Sequence, residues 1–114
     1  MTSIWSGLIT AALKQIRPDA IVCANDITAA HLMRTLQELR IAVPEKIRMA
    51  GIDDVKYASL LSVPFTTIHQ PCAEMGKIAI AVMANRLRNP GLPAQDVRLN
   101  FRLVIRQSSG TRPN

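Results

Sequence analysis

The spacing of hydrophobic positions changes along the chain and predicts an alternation of helices and strands. In residues 5–16 the apolar side chains recur at every third or fourth position, the period of a helix with one buried face. Residues 20–24 form a short, continuous apolar run, which is typical of a strand buried on both faces of a parallel sheet. A second helical stripe follows in residues 29–39, and Asp26 stands in the place of its N-cap. The first half of the chain therefore predicts a helix, a strand and a second helix.

The second half continues the same alternation. Residues 47–52 predict a second buried strand, and the β-branched residues within 65–70 predict a third. Pro71 fits the first turn of a helix that runs to residue 87, because a backbone N–H at that position would have no helical partner. An extended segment follows in residues 96–106. This order predicts an α/β fold, with an open and mostly parallel sheet flanked by helices.

The length and composition are those of a single globular domain. The chain has 114 residues, of which 48% are hydrophobic and 19% are charged, a balance that argues against disorder. Its longest apolar stretches are far shorter than the roughly 20 residues of a membrane helix, and its start lacks a signal-peptide pattern. Cys23 and Cys72 lack metal-binding spacing, so we expect free thiols in a reducing, cytoplasmic compartment. We expect residues 108–114 to form a flexible tail.

The net charge of +6, from 14 basic and eight acidic residues, has the sign that nucleic acids attract. Arg98, Arg102 and Arg106 supply part of this excess, and they alternate with apolar residues, which indicates the solvated face of an extended segment. The sequence has no helix-turn-helix or zinc-finger spacing and few aromatic residues on which bases could stack. We therefore expect no direct contact between this chain and DNA.

Polar side chains stand at the end of each of the three predicted parallel strands. The pairs are Asn25-Asp26, Asp53-Asp54 and His69-Gln70. In open α/β sheets ligands bind at the carboxyl ends of the strands, and amides together with a carboxylate suit a neutral, polyhydroxylated molecule. A phosphate would instead need a glycine-rich loop with Lys or Arg, which the sequence lacks. For any one pair taken alone, a helix cap or a turn is the simpler explanation.

Catalysis is a third interpretation of the same acids, in combination with His31 or His69. Nothing in their spacing places them around one proton. The sequence has no nucleophile motif of the G-x-S-x-G kind and no cysteine with a paired histidine, and it lacks a chelating loop or a helical i,i+4 pair of metal ligands. We therefore predict no enzyme, no catalytic residue, no metal and no cofactor.

Four segments resemble the LacI-type transcription regulators and the ribose-type periplasmic binding proteins that share their core. They are PDAIVCANDITA from residue 18, VPEKI and GIDD from residues 43 and 51, PFTTIHQP with MG from residues 64 and 75, and LVIRQS from residue 103. Each motif is loose, but together they follow the family's order and distances over nearly the whole chain. The resemblance implies a periplasmic-binding-protein-like fold of type I, present here as its C-terminal part.

The resemblance also implies roles for the strand-end residues. Asn25, Asp53 and Gln70 match the positions that contact a sugar or another small effector in such proteins, while Asp26 mainly caps its helix. The closing Leu-Val-x-Arg-x-Ser pattern favours a regulator, in which effector binding shifts two lobes and changes the affinity of a dimer for operator DNA. A periplasmic sugar-binding protein of a transport system is the alternative.

Dimer contacts in similar proteins come from the second helix and from the segment after the Asp-Asp pair. The corresponding positions here are Ala30, Met33, Leu60 and Leu61, for which burial in the core is the alternative.

Two substitutions and one absence depart from the family pattern. Ile52 replaces a usual aromatic residue, so stacking on a sugar face is lost there, and Arg40 replaces a common helix-ending glycine. The DNA-binding headpiece and the N-terminal lobe are absent, so we expect residues 1–107 to form the C-terminal portion of the effector-binding domain. Operator DNA would be bound through a headpiece that this chain does not contain.

The missing lobe has a physical consequence for the helix predicted to end at residue 87. In similar proteins this helix packs on the N-terminal lobe, so here its apolar stripe lacks its usual cover. We therefore expect two copies of the chain to associate or to exchange an element. We also expect weak effector affinity, because half a cleft holds a ligand from one side only.

Overall fold

The computed structural model describes residues 4–110 and follows the predicted alternation of helices and strands. The elements are α1 (Ile4–Ile16), β1 (Ala20–Val22), α2 (Asp26–Glu38), β2 (Arg48–Asp53), β3 (Thr66–His69), α3 (Cys72–Arg88) and β4 (Arg102–Val104), with short 3-10 turns at Lys56–Ser59 and Gln107–Ser109. The extended segment predicted over residues 96–106 thus contains only a three-residue strand.

The four strands form one sheet in the order β1-β2-β3-β4. The first three strands run parallel, with Ala50 of β2 opposite Thr66 of β3, and β4 pairs antiparallel to β3. The predicted open and mostly parallel α/β sheet is therefore confirmed. Because parallel strands end at the same edge, the carboxyl ends of β1, β2 and β3 lie side by side.

The core lies between the sheet and α2. Its buried hydrophobic members are Cys23, Ala29, Leu32, Met33, Leu36, Val43, Ile47, Met49, Ala58 and Phe65. Met33 is thus a core residue, and its predicted place in a dimer interface is wrong because its side chain is not available to a partner. Of the other three predicted interface residues, Leu60 is exposed and Ala30 and Leu61 are half-buried.

The turn after α2 forms although Arg40 stands where the family commonly has a helix-ending glycine. Arg40 adopts a φ of 57°, in the left-handed region. The Ile41 N–H then donates to the Leu36 carbonyl at 2.8 Å, which closes the helix with the hydrogen bond that a glycine usually allows. Arg40 therefore accepts the backbone strain that glycine would avoid.

The predicted flexible tail begins too early. Ser108 is fully buried, its hydroxyl donates to the Met49 carbonyl at 2.7 Å, and it accepts from the Thr66 N–H at 2.8 Å. The prediction is therefore wrong for residues 108–110, which pack against β2 and β3. Its remaining residues, 111–114, lie outside the described part of the chain.

Helix α3 stands apart from the core. None of its residues is buried against the rest of the described chain, 4–110, and Ile78, Val82 and Ala84 are its half-buried members. The apolar stripe of this helix is therefore uncovered, as expected, and association between chains stays a prediction.

Candidate functional site

The three residues predicted to contact a ligand stand at the carboxyl ends of three neighbouring strands. Asn25 follows β1, Asp53 is the last residue of β2, and Gln70 follows β3 directly. The Gln70 Nε2 group donates to Asp53 Oδ1 at 2.7 Å, and all three residues are half-buried. Two of the predicted site residues are therefore in direct contact, and the third lies at the adjacent strand end.

Asn25, and not Asp26, is the N-cap of α2. Asn25 is in an extended conformation, with φ −156° and ψ 168°, and its Oδ1 accepts from the Thr28 N–H at 2.8 Å. The prediction that Asp26 caps the helix is wrong, because α2 begins one residue earlier than the sequence pattern suggested. The cap uses only the carbonyl oxygen of Asn25, so its amide hydrogens can still donate to a ligand.

The Asp26 carboxylate instead lies in the interior and joins three segments. Its Oδ1 accepts from the Thr67 hydroxyl at 2.7 Å, and its Oδ2 accepts from the Val55 N–H at 3.1 Å. Room for the carboxylate comes from Gly51, where a Cβ would collide with Asp26 Oδ1. Burial and the nearby Asp26 charge together raise the pKa of the Cys23 thiol, which keeps that cysteine protonated and inert.

Asp54 is the centre of a second polar cluster. The Arg106 Nη2 group donates to Asp54 Oδ1 at 2.7 Å, and His69 Nδ1 lies 2.9 Å from Asp54 Oδ2. The other guanidinium nitrogen, Nη1, donates to the Phe65 carbonyl at 2.9 Å. The hydrogen bond from Arg106 is the main reason that the pKa of Asp54 lies below its usual value; burial opposes this and His69 adds to it. Asp54 is thus held as a carboxylate.

These contacts hold a strained piece of backbone. Asp53 has a φ of 122° and Asp54 a φ of 54°, so two consecutive residues with side chains occupy positive-φ conformations. Such conformations cost about 1–3 kcal/mol each and persist only where surrounding contacts impose them. Here Gln70 binds the first carboxylate, Arg106 and His69 bind the second, and the Asp54 N–H donates to Thr67 Oγ1 at 3.2 Å.

The residues that support this site could not be recognised from the sequence. The sequence pattern predicts a solvated face that includes Arg106, but its side chain is only 20% exposed and is paired with Asp54. The alternation continues with the opposite sense, because Val104, Arg106 and Ser108 face inward while Leu103 and Ile105 are 58% and 57% exposed. Thr67 left no signal in the sequence apart from its β-branched side chain.

A shallow groove of about 360 Å³ adjoins the site. It is lined by Ile52, Ile68, Gln70, Pro71, Met75, Val97, Leu99 and Phe101. Gln70 is the only polar residue of this lining, and Asn25 and Asp53 are not part of it. The groove therefore supplies an apolar wall beside the Asp53–Gln70 pair.

The described residues contain neither a helix that could cross a membrane nor a ready metal site. No helix within residues 4–110 has the length and apolar character to cross a membrane. No three acidic, histidine or cysteine side chains in the same range come together as metal ligands.

Comparison with known proteins identifies relatives among bacterial repressors. The chain is 39% identical over 92 residues to the HTH-type transcriptional repressor PurR of Photobacterium profundum, which covers 81% of the chain and 28% of that protein. It is 37% identical over 94 residues to the ribose operon repressor of Escherichia coli, with 82% of the chain and 28% of that protein covered. The chain thus spans less than a third of the length of these two relatives.

A solved structure of a bacterial regulator has a similar fold. A LacI family transcriptional regulator from Enterococcus faecium, crystallised with bound ribose, superposes with a TM-score of 0.77 and 28% identity over 91% of the chain and 39% of that protein. Residues 2–109 match the family described as the periplasmic binding protein-like domain. The chain belongs to this family of periplasmic binding protein-like domains, and LacI-type regulators are among the members that it resembles in sequence and fold.

Proposed function

We propose that the chain is the ligand-sensing and dimerisation module of a LacI-type transcriptional regulator, with a sugar-like effector. The observation that carries the proposal is the Asp53–Gln70 pair, a carboxylate and an amide 2.7 Å apart at the carboxyl edge of a parallel sheet. The names of the relatives as repressors, and the ribose bound to the Enterococcus faecium regulator, support the same assignment. Residues 1–107 are then the C-terminal portion of the effector-binding domain.

The chemistry of the pair suits a hydroxyl-rich, uncharged ligand. The contact with Gln70 uses Asp53 Oδ1 and leaves Oδ2 to accept from a ligand hydroxyl, while the Gln70 Oε1 can accept from another. Asn25 adds amide donors from the adjacent strand end. The apolar groove next to Gln70 matches the C–H faces of a sugar ring, although Ile52 provides no aromatic surface for stacking.

The supporting contacts explain how such a site could report that a ligand is bound. A ligand changes an equilibrium only by binding one state more tightly than another, and the Asp53 carboxylate sits on strained backbone tied to β3 and to Arg106. In the proposed regulator, binding at this edge biases the arrangement of the effector domain in a cytoplasmic homodimer. A headpiece outside this chain then changes its affinity for operator DNA. The chain itself senses and has no enzymatic role.

Calorimetric titration of the protein with ribose, glucose and a purine base tests the proposal. We expect one of these probes to bind, and Asp53→Asn to weaken it by about 10- to 100-fold, because a hydrogen bond to a charged group is lost. Asp96→Asn is the matched control, since that carboxylate is exposed and distant in sequence from the strand ends. Because half a cleft binds weakly, the titration extends to the highest sugar concentration that the instrument allows; the proposal is refuted if neither sugar binds there, or if both substitutions affect binding equally.

A further inference from the structure

A buried hydrogen-bonded pair, Asp26 and Thr67, lies next to the strand ends that carry the candidate site. Asp26 is 2% exposed and Thr67 is fully buried. The Thr67 hydroxyl donates to Asp26 Oδ1 at 2.7 Å. Neither side chain reaches the surface, so neither can contact a ligand directly. In sequence, however, Asp26 follows Asn25 directly and Thr67 stands shortly before Gln70. The pair therefore adjoins the site without being part of its surface.

The pair holds the backbone of the turn that follows β2. Thr67 Oγ1 accepts from the Asp54 N–H at 3.2 Å, and Asp26 Oδ2 accepts from the Val55 N–H at 3.1 Å. The Asp54 N–H belongs to the planar peptide group that joins Asp53 to Asp54, so its direction fixes the backbone angles on both sides. One of these angles is the φ of 54° at Asp54. The two hydrogen bonds thus fix consecutive peptide groups directly after the residue whose carboxylate is proposed to bind the effector.

The hydroxyl of Thr67 links the turn to Asp26. A backbone N–H can only donate, so the Thr67 oxygen accepts from Asp54 and its single hydrogen is given to Asp26. Valine has almost the same shape but could do neither, whereas serine could do both. The contacts that Gln70 and Arg106 make with the turn engage its carboxylates and not its peptide groups. The hydroxyl of Thr67, and not its bulk, is therefore what the backbone of the turn uses.

We propose that the Asp26–Thr67 pair positions the Asp53 carboxylate for the effector, with Thr67 as the positioning residue. The proposal rests on the proposed function, in which Asp53 binds the effector. Positive-φ conformations of residues with side chains persist only where neighbouring contacts impose them, so a turn released from Thr67 relaxes. Relaxation shifts the Asp53 carboxylate from the position in which it meets Gln70, and a binding group must be held to within about 0.5 Å. Loss of the buried hydroxyl therefore weakens binding at a site that it does not touch.

The competing explanation is that the pair stabilises the fold and has no role at the site. Two substitutions separate these explanations. Thr67→Val keeps the buried volume and removes the hydroxyl, whereas Thr67→Ser keeps the hydroxyl and removes a buried methyl group, which also costs stability. Leu36→Val is the matched control, because Leu36 is fully buried but lies about 15 Å from Asp26 along α2. It lowers stability without touching the turn.

Amide hydrogen exchange followed by NMR tests the turn without any ligand. The measured quantity is the ratio of the Asp54 exchange rate to that of Cys23, whose N–H donates to the Ala50 carbonyl at 2.8 Å. A change in global stability alters both rates together and cancels in the ratio. We expect the ratio to rise at least about 5-fold in Thr67→Val, which leaves the Asp54 N–H without its acceptor. In Thr67→Ser and Leu36→Val it should stay within about two-fold of the native value.

NMR titration of the same proteins with ribose, and separately with glucose, tests the effect on binding. We expect the dissociation constant to rise about 5- to 10-fold in Thr67→Val, the cost of roughly one hydrogen bond, and to change less than about two-fold in Thr67→Ser and Leu36→Val. Asp53→Asn, in the same series, reports whether the proposed site itself binds the sugar. Circular dichroism establishes that each variant is folded, and Thr67→Cys, whose thiol donates and accepts only weakly, takes the place of Thr67→Val if the latter unfolds.

The outcomes distinguish the positioning role from the proposed function. Equal exchange ratios in Thr67→Val and Thr67→Ser, or binding that is weakened equally in Thr67→Val and Leu36→Val, overturns the positioning role. Native affinity in Thr67→Val when Asp53→Asn is impaired overturns it as well and leaves the proposed function standing. If the native protein binds neither sugar, or if Asp53→Asn binds as the native protein does, the proposed function is wrong, and the role of the pair in effector binding falls with it.

Discussion

Replacing Arg106 with methionine tests whether the Asp54 cluster holds the strand ends in place. The substitution keeps much of the apolar stem but removes the hydrogen bonds to Asp54 Oδ1 and to the Phe65 carbonyl. The Asp54 side chain is only 13% exposed, so water can replace the lost donor only in part. We expect the free energy of unfolding to fall by about 2–4 kcal/mol, the range for lost charged hydrogen bonds and a partly buried unpaired carboxylate.

Urea unfolding followed by circular dichroism measures this loss, with Arg98→Met as the control. Arg98 is almost fully exposed and stands 3.9 Å from Asp96, so its removal should cost less than about 0.5 kcal/mol. A double-mutant cycle with Asp54→Asn isolates the coupling between the two partners. If Arg106→Met costs no more than Arg98→Met, the cluster does not stabilise the fold and our account of the strained backbone is wrong.

The same pair predicts a pH dependence. The pKa of Asp54 is lowered in the folded protein, so the unfolded chain takes up the proton first as the pH falls. The contribution of Asp54 is therefore complete above its ordinary pKa of about 4 and is lost as the pH falls through the lowered folded-state pKa. The difference in stability between the native protein and Arg106→Met should shrink in this acidic window. A difference that stays constant down to the lowest pH at which both proteins fold would contradict the ion-pair explanation.

Two smaller predictions concern the interior and the cap. Gly51→Ala should lower the free energy of unfolding by about 1–3 kcal/mol, because the new methyl group collides with the Asp26 carboxylate and approaches Phe65 to 3.1 Å; Gly91→Ala, in open space, is its control in the same urea titration. Asn25→Ala should cost about 1 kcal/mol through the lost N-cap, and Asn25→Ser should restore most of it, whereas an equal loss in both variants would show that capping is not the cause.

Local patterns were enough to predict the elements of the fold. The apolar runs at residues 20–24 and 47–52 became β1 and β2 within two residues at each end. The expected burial on both faces is wrong for β1, which lies at the edge of the sheet with Val22 76% exposed. The apolar stripe that begins at Ala29 likewise predicted α2, the helix that packs on the sheet. The carboxyl ends of neighbouring parallel strands lie at the same edge of a sheet. The order of the strands along the chain therefore already suggested that Asp53 and Gln70 lie close together.

The contacts that support the site could not be predicted in the same way. Arg106 binds Asp54 across 52 positions of sequence, and Thr67 binds Asp26 across 41. No period or motif records such pairings, because they form only when the C-terminal segment folds back beside β3 and when β3 lies next to the start of α2. The N-cap of α2 is Asn25 and not Asp26, a difference of one residue. Hydrophobic spacing does not locate the end of a helix that closely.

The positive φ angles of Asp53 and Asp54 set the stability of the backbone against the ligand contact proposed for the Asp53 carboxylate. Glycine would adopt both conformations without strain, so substituting it at either position should relax the backbone even as it removes a carboxylate. At Asp54 the lost pairing with Arg106 opposes this gain, so mutants recovered for heat resistance alone would tend to drift toward glycine at Asp53 only. In the proposed regulator, a laboratory evolution experiment would have to impose effector binding as a second requirement in order to keep the acid at Asp53.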